Sequence, residues 1–104
     1  MRTNAIHLFV YGTLRFPKYQ REAFGKSFKG EKAIAINFQK LRIRVDGKRY
    51  WIISPFKRKS VRGLKLTISE KDLKIADVYE HSMYQRRLVH LKDGAKAWAY
   101  VYNS

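Results

Sequence analysis

Four consecutive residues near the start of the 104-residue sequence could bind an anion. Tyr11-Gly12-Thr13-Leu14 lies at the end of an apolar run, residues 6–11, that is typical of a β-strand. A glycine where a strand turns can leave consecutive backbone N–H groups facing one point, and such amides bind anions. The same pattern is also typical of an ordinary strand-end turn, so the motif alone leaves both interpretations open.

A second group, Asp77-Val78-Tyr79-Glu80, offers a carboxylate that could move a proton. These residues are predicted to end a helix, where the negative pole of the helix dipole disfavours an acidic charge. A carboxyl group in such a place can have a raised pKa and act as a general base. The alternative is an ordinary solvated glutamate at a helix end.

Residue types exclude several other chemistries. The sequence contains no cysteine, which rules out a disulfide, a thiolate metal site and a cysteine nucleophile. His7, His81 and His90 are far apart and match no metal-ligand spacing. The sequence contains neither a Walker-type phosphate loop nor a nucleophile elbow. We therefore predict neither a metal nor a cofactor.

A mainly β chain must position these groups. Asp46-Gly47 is a strong signal for a two-residue hairpin turn, and Ser69 is predicted to cap the helix that ends near Glu80. Pro17 and Pro55 are both expected in loops. The predicted strands are residues 6–11, 33–38, 41–45, 48–53, 61–68, 84–91 and 95–102, with a short additional helix at 19–28. This order predicts an α+β fold built on a curled, largely antiparallel sheet.

The order of several motifs resembles the γ-glutamylcyclotransferase-like family. Residues 8–15, Leu-Phe-Val-Tyr-Gly-Thr-Leu-Arg, resemble the family's N-terminal signature. Its later signature is an Asp, two residues, a Glu, and then Tyr-x-Arg. The matching residues in this sequence are Asp77, Glu80, Tyr84 and Arg86. Residues 97–102 resemble the family's aromatic C-terminal strand, and residues 61–63 resemble part of its central strand.

The resemblance implies a small mixed β-barrel, flanked by one or two helices, with a cavity near one end. Family enzymes convert a γ-glutamyl amine or peptide to 5-oxoproline and a free amine, without a metal or a cofactor. By this resemblance, Glu80 would transfer the proton as general acid and base. The amides of Gly12, Thr13 and Leu14 would hold the substrate carboxylate or the oxyanion. The side chains of Tyr11 and Tyr84 would line the pocket.

The sequence departs from the family pattern in three places. His81 stands where the family usually has glycine after the catalytic glutamate. The stretch after the first loop, residues 16–20, lacks the usual Gly-rich or Asn-bearing character. The middle of the chain is short and strongly basic. Activity is therefore compatible with the sequence, while the substrate is not specified by it.

Positive charge is concentrated in residues 15–65. The chain has 23 Lys and Arg against 8 Asp and Glu, a net charge of +15, and this segment holds 16 of those basic residues with only three acidic ones. Such a field attracts polyanions, including nucleic acid, or an acidic membrane surface. A solvated, merely solubilising surface is the alternative.

The predicted hairpin around Asp46-Gly47 is the sharpest feature of this basic segment. A two-residue turn pairs Arg44 with Arg49 and Arg42 with Trp51, so one strand face is cationic and carries an aromatic ring. Like charges opposite each other suggest a bound anion, and Trp51 could stack on a base. This gives a rival hypothesis: a catalytically lapsed family member that binds nucleic acid, another polyanion or an acidic partner.

Length and hydropathy complete the sequence-based expectations. A chain of 104 residues with 45% hydrophobic residues is expected to form one domain, residues 1–104. No apolar run approaches the length of a membrane span, and the N-terminus does not resemble a secretory signal. We therefore expect a cytoplasmic protein acting on a small γ-glutamyl substrate. The sequence predicts no oligomeric state.

Overall fold

The computed structural model of the protein describes residues 5–103. This part of the chain contains five strands, two α-helices and one 3₁₀ turn, Thr13–Arg15. The bounds are β1 Ile6–Val10, α1 Pro17–Phe24, β2 Gly30–Val45, β3 Lys48–Ile68, α2 Glu70–Tyr79, β4 Tyr84–His90 and β5 Lys96–Tyr102. The α+β class predicted from the sequence is confirmed.

The five strands of the described residues form one mixed, curled sheet in the order β2-β3-β1-β5-β4. β1 is parallel to β5 and antiparallel to β3, and the remaining neighbours are antiparallel. The sheet curls until its two edges, β2 and β4, come close together. Two contacts join them: Ala35 forms an isolated bridge with Leu91, and the Lys92 N–H donates to the Ile34 carbonyl at 2.9 Å. The sheet is barrel-like without being closed by a continuous ladder.

β1 lies at the centre of the sheet, and its alternating side chains pack into two different clusters. Phe9 packs with Ile53 and Val61 inside the curl, in the same cluster as Tyr11. Leu8 and its neighbour Val10 belong to a second cluster that includes residues of α2. Successive side chains of a strand point to opposite faces, so a strand covered on both faces is apolar throughout.

The expectation of four short strands between residues 33 and 68 is wrong, because two long strands replace them. β2 and β3 pair with one interruption: Ile36 pairs with Ser60, while Phe38 pairs with Pro55. Four residues of β3, 56–59, therefore bulge out opposite Asn37 alone. Asn37 and Arg58 both have positive φ, 63° and 70°, and the Asn37 side-chain oxygen accepts a hydrogen bond from the Arg58 N–H at 3.0 Å.

The loop positions expected for the two prolines are also wrong. Pro55 lies within β3, where it pairs with Phe38 directly beside the bulge, a place in a sheet where proline is tolerated. Pro17 is the first residue of α1, a position that its fixed φ favours. α1 consequently begins before the predicted residue 19, and it ends at Gly25, which has a φ of 76°.

α2 begins as the sequence predicts. The Ser69 hydroxyl accepts a hydrogen bond from the Asp72 N–H, and the Asp72 carboxylate accepts one from the Ser69 N–H, both at 3.1 Å. Burial alone would raise the pKa of Asp72, but the bonds from Ser69 and the charge of Lys26 outweigh it and lower that pKa. The cap fixes the start of the helix whose other end carries Glu80.

Across residues 5–103 the helices are all too short or too polar to cross a lipid bilayer.

Candidate active site

A cavity of about 380 Å³ opens at the end of β1, and it unites the two motifs that the sequence singled out. Its wall includes all six residues predicted to form the catalytic and substrate-binding site, which are Tyr11, Gly12, Thr13, Leu14, Glu80 and Tyr84. Tyr11 and Gly12 link β1 to the 3₁₀ turn, which begins with Thr13 and Leu14. The segment from the end of α2 to the start of β4 supplies Glu80 and Tyr84. The two motifs, nearly 70 residues apart in sequence, therefore share one cavity.

Three residues of the turn after β1, Gly12, Thr13 and Leu14, line the cavity. The hydrogen bonds of this turn are donated by the N–H groups of Arg15 and Phe16, to the carbonyls of Gly12 and Thr13 at 3.1 and 3.0 Å. Among the described residues, no turn or cap hydrogen bond uses the N–H groups of Gly12, Thr13 or Leu14. These amides are available to an anion.

A buried glutamine, which the sequence did not suggest, holds this turn in place. The Gln20 side chain is 1% exposed. Its amide nitrogen donates to the Leu14 carbonyl at 2.8 Å, and its oxygen accepts from the Phe28 N–H at 2.7 Å. One side chain thus ties the turn to α1 and to the chain that follows it. A buried amide bonded on both sides is costly to disturb.

Glu80 ends α2, with its N–H donating to the Ala76 carbonyl at 3.0 Å. The side chain is only partly exposed, and burial raises the pKa of its carboxyl group from 4.5 to about 7. The raised pKa agrees in direction with the sequence-based hypothesis, but its cause is burial in the cavity wall. A carboxyl group that titrates near neutral pH can both accept and return a proton.

We expect the buried carboxylate to destabilise the fold at high pH. Because the folded pKa of Glu80 lies above its unfolded value, the folded state holds this proton more tightly, and stability falls as the pH rises from 4.5 to about 7. The difference in unfolding free energy between Glu80→Gln and the wild type should therefore shift by about 3 kcal/mol in favour of the variant between pH 4.5 and pH 8.

Urea unfolding at the two pH values measures this gain. Glu31→Gln is the matched control, because the Glu31 side chain is 74% exposed. A difference between Glu80→Gln and wild type that does not change with pH would contradict a desolvated Glu80 carboxylate.

Two tyrosines of the site are fixed by hydrogen bonds to backbone carbonyls. Tyr11 donates to Tyr100 and Tyr84 donates to Trp51, each at 2.5 Å. Burial, followed by the nearby Glu80 and other tyrosines, raises the pKa of both hydroxyls above the usual range. Both hydroxyls stay protonated near neutral pH and are committed as donors, so these rings shape the cavity rather than act as acids.

Asp77, the first acid of the resembling signature, fixes the end of α2 and does not line the cavity. Its carboxylate accepts hydrogen bonds from the Arg86 guanidinium and the Tyr100 hydroxyl, each at 2.8 Å. Arg86 in turn lies over the Trp98 ring, 4.4 Å from its centroid. These contacts join α2 to β4 and β5, and thereby set where Glu80 emerges.

The basic hairpin has the predicted pairing but an unexpected position. Arg42 pairs with Trp51 and Arg44 with Arg49, as the two-residue turn indicated. Arg42, Arg49 and Trp51 all line the cavity, whereas Arg44 lies outside it. Most of the predicted polyanion surface is therefore a wall of the same cavity that holds Glu80.

Several further side chains line the cavity that the sequence did not single out as site residues: Phe9, Tyr50, Tyr79, His81 and Tyr100. Strand alternation could have grouped Phe9 with Tyr11. His81, the departure from the family pattern, packs its ring against Tyr50 at 5.3 Å between centroids. Within residues 5–103, no cluster of three potential metal ligands occurs.

Comparison with known proteins agrees with this fold. Residues 8–104 match the family model described as gamma-glutamyl cyclotransferase, AIG2-like. The chain belongs to this family. No curated protein matches the sequence significantly.

Solved structures with the same fold share little sequence with this chain. A protein of Arabidopsis thaliana, solved in solution, is 22% identical with a TM-score of 0.79, over 98% of this chain and 66% of its own. An uncharacterised human protein is 16% identical with a TM-score of 0.81, over 96% and 68%. A structure titled gamma-glutamyl cyclotransferase is 14% identical with a TM-score of 0.77, over 97% and 68%. This chain spans about two thirds of the length of these relatives.

Proposed function

We propose that this protein is a γ-glutamylcyclotransferase, which converts a γ-glutamyl amine or peptide to 5-oxoproline and releases the amine. The observation that carries the proposal is the shared cavity: a carboxyl group with a pKa of about 7 lies in one wall with a turn of available backbone amides. Membership of the family supports the same reaction class.

The reaction requires that the α-amine be held near the γ-carbonyl of the same molecule and that protons move between the two nitrogen atoms. Glu80, as carboxylate, takes a proton from the substrate's α-ammonium group, and the freed amine attacks the γ-carbonyl carbon of the same molecule. The new C–N bond produces a tetrahedral oxyanion. The protonated Glu80 then donates to the leaving nitrogen, and the old C–N bond breaks as the oxyanion collapses. Glu80 takes the second proton from the ring nitrogen and passes it to the released amine, so that 5-oxoproline and an ammonium ion remain. Atoms and charge balance without a further reactant.

The cavity supplies two further contributions. The N–H groups of Gly12, Thr13 and Leu14 are suited to hold either the substrate carboxylate or the developing oxyanion. The rings of Tyr11 and Tyr84 narrow the cavity around a bent substrate, and folding the chain back on itself is most of what an intramolecular cyclisation requires.

A product assay tests the proposal. The wild-type protein is incubated with γ-glutamyl amino acids, γ-glutamyl peptides and γ-glutamyl amines, and 5-oxoproline is measured by chromatography. We expect at least one substrate to give 5-oxoproline and free amine in equal amounts. Failure of every substrate with a folded protein would overturn the proposal. It would favour the lapsed binding protein of the rival hypothesis, whose affinity for nucleic acid should fall steeply with added salt.

A further inference from the structure

Two guanidinium groups lie on the cavity wall without an acidic partner. In the described residues, neither Arg42 nor Arg49 lies within 4.0 Å of a carboxylate, and Glu80 is the one acidic side chain on the wall. Arg42 and Arg49 are diagonal neighbours on one face of the β2–β3 ladder. Such neighbours are about 7–8 Å apart at Cα, close enough for both side chains to reach one anion.

A further cation, Lys40, lies beside this wall but does not line the cavity. Lys40 and Arg42 both lie over the Trp51 ring, 4.4 and 4.9 Å from its centroid. Burial, and after it the positive charge of Arg15, lowers the pKa of Lys40. The hairpin thus gathers cations that repel one another, an arrangement that a bound anion would relieve.

The two arginines lie on the β2–β3 hairpin, whereas Glu80 lies at the end of α2. Burial is what raises the pKa of Glu80, and no guanidinium offsets it. Tyr84 lines the same cavity, and its hydroxyl donates to the Trp51 carbonyl of the hairpin. A substrate that reacts beside Glu80 therefore lies in the same cavity as both arginines.

We infer that Arg42 and Arg49 bind a carboxylate on the leaving amine, so that the preferred substrates are γ-glutamyl amino acids or peptides with a free carboxyl group. The same two arginines would repel a leaving amine that carries a cationic group in place of the carboxylate. This inference rests on the proposed function. It adds that Arg42 and Arg49, which take no part in the cyclisation itself, select the class of substrate.

A matched pair of substrates tests the assignment. γ-Glutamyl-alanine carries the carboxylate, and γ-glutamyl-alanine amide lacks it. We expect the wild type to prefer the carboxylate about 10-fold or more in kcat/KM, the size of a charge-assisted hydrogen bond. The double variant Arg42→Gln/Arg49→Gln should lower kcat/KM for γ-glutamyl-alanine by a similar factor and bring the ratio near 1. Arg44→Gln, on the same strand face but outside the cavity, should keep the preference.

The outcomes separate the inference from the proposed function. Equal turnover of both substrates by the wild type would overturn the inference alone. The inference would also be wrong if the double variant turned over both substrates more slowly by the same factor. That result would mean that Arg42 and Arg49 bind the α-carboxylate, which all γ-glutamyl substrates share. Loss of oligonucleotide affinity in the double variant, with an unchanged substrate ratio, would assign the pair to a polyanion instead.

A second readout does not depend on turnover: NMR titration measures how tightly the Glu80→Gln variant binds γ-glutamyl-alanine and γ-glutamyl-alanine amide. Tighter binding of γ-glutamyl-alanine than of its amide would support the inference even if the wild type formed no 5-oxoproline. Equal binding, or none, would overturn it.

Discussion

Glu80→Gln is expected to lower kcat for 5-oxoproline formation by about 100-fold or more, the contribution of a well-placed general acid–base group. Glutamine keeps the size and polarity of the side chain but cannot take the proton of the α-ammonium group. Because the side chain is partly buried in the cavity wall, the isosteric change should leave the cavity intact and KM within a few-fold of the wild type. Steady-state kinetics on one γ-glutamyl peptide measures both parameters.

The pH profile adds a second readout to the same variant. Wild-type kcat/KM should rise with pH through an apparent pKa of about 7, since Glu80 must be ionised in the free enzyme to accept a proton. The residual activity of Glu80→Gln should lack this step. Glu31→Gln, which removes an exposed carboxylate on β2, serves as the control. Full activity in Glu80→Gln would exclude the residue as the general base.

Gly63→Ala is expected to produce the largest loss of stability, about 3 kcal/mol or more, or roughly 12 °C or more in Tm for a domain of this size. A Cβ at this position would lie 2.3 Å from the Val10 carbonyl oxygen and 2.8 Å from the Phe9 ring. The closest of these contacts is backbone, so β1 itself would have to move. Since β1 ends at the Gly12 turn, the cavity should distort as well.

Gly12→Ala is the matched control for this prediction. Its new Cβ would meet nothing closer than the Trp51 Cβ at 3.6 Å, so it lacks the steric overlap expected at Gly63. Thermal unfolding of the two variants compares them directly. Equal Tm values for Gly63→Ala and wild type would contradict the close approach of β3 to β1. A loss in Gly12→Ala as large as that in Gly63→Ala would show a general intolerance rather than a steric one.

The parts of the fold that the sequence predicted well are those governed by local rules. Asp46-Gly47 fixes a two-residue turn, and the turn fixes every pair along the hairpin, so the Arg42–Trp51 and Arg44–Arg49 pairs were correct. Ser69 and Asp72 form a cap through bonds only three residues apart. Such features need no knowledge of the rest of the chain.

The strand boundaries between residues 33 and 68 depended on non-local pairing. Pro55-Phe56 followed by three basic residues is typical of a loop. The ladder nevertheless resumes beyond residues 56–59, which bulge out of it. Only the pairing with β2, and the Asn37 side chain that accepts the Arg58 N–H, distinguish a bulge within a strand from a break between two.

The candidate site illustrates the same division. The two motifs were visible in the sequence, but their meeting in one cavity with the hairpin depends on the curl of the sheet. Tyr84 bonds the Trp51 carbonyl across 33 residues of sequence, and this contact brings the basic strand face to the cavity. For this reason the sequence separated a polyanion surface from a catalytic site. The cause of the raised Glu80 pKa, burial rather than the helix dipole, was hidden for the same reason.

The products formed from γ-glutamyl-alanine at pH 7 test the central claim most directly. If the cavity performs an intramolecular cyclisation assisted by Glu80, the wild type will release 5-oxoproline and alanine in equal amounts, without glutamate, and Glu80→Gln will be about 100-fold slower or worse. Glutamate in place of 5-oxoproline would mean hydrolysis by water. Glutamate as the product, or no product from a folded wild type with any γ-glutamyl substrate, would contradict the account.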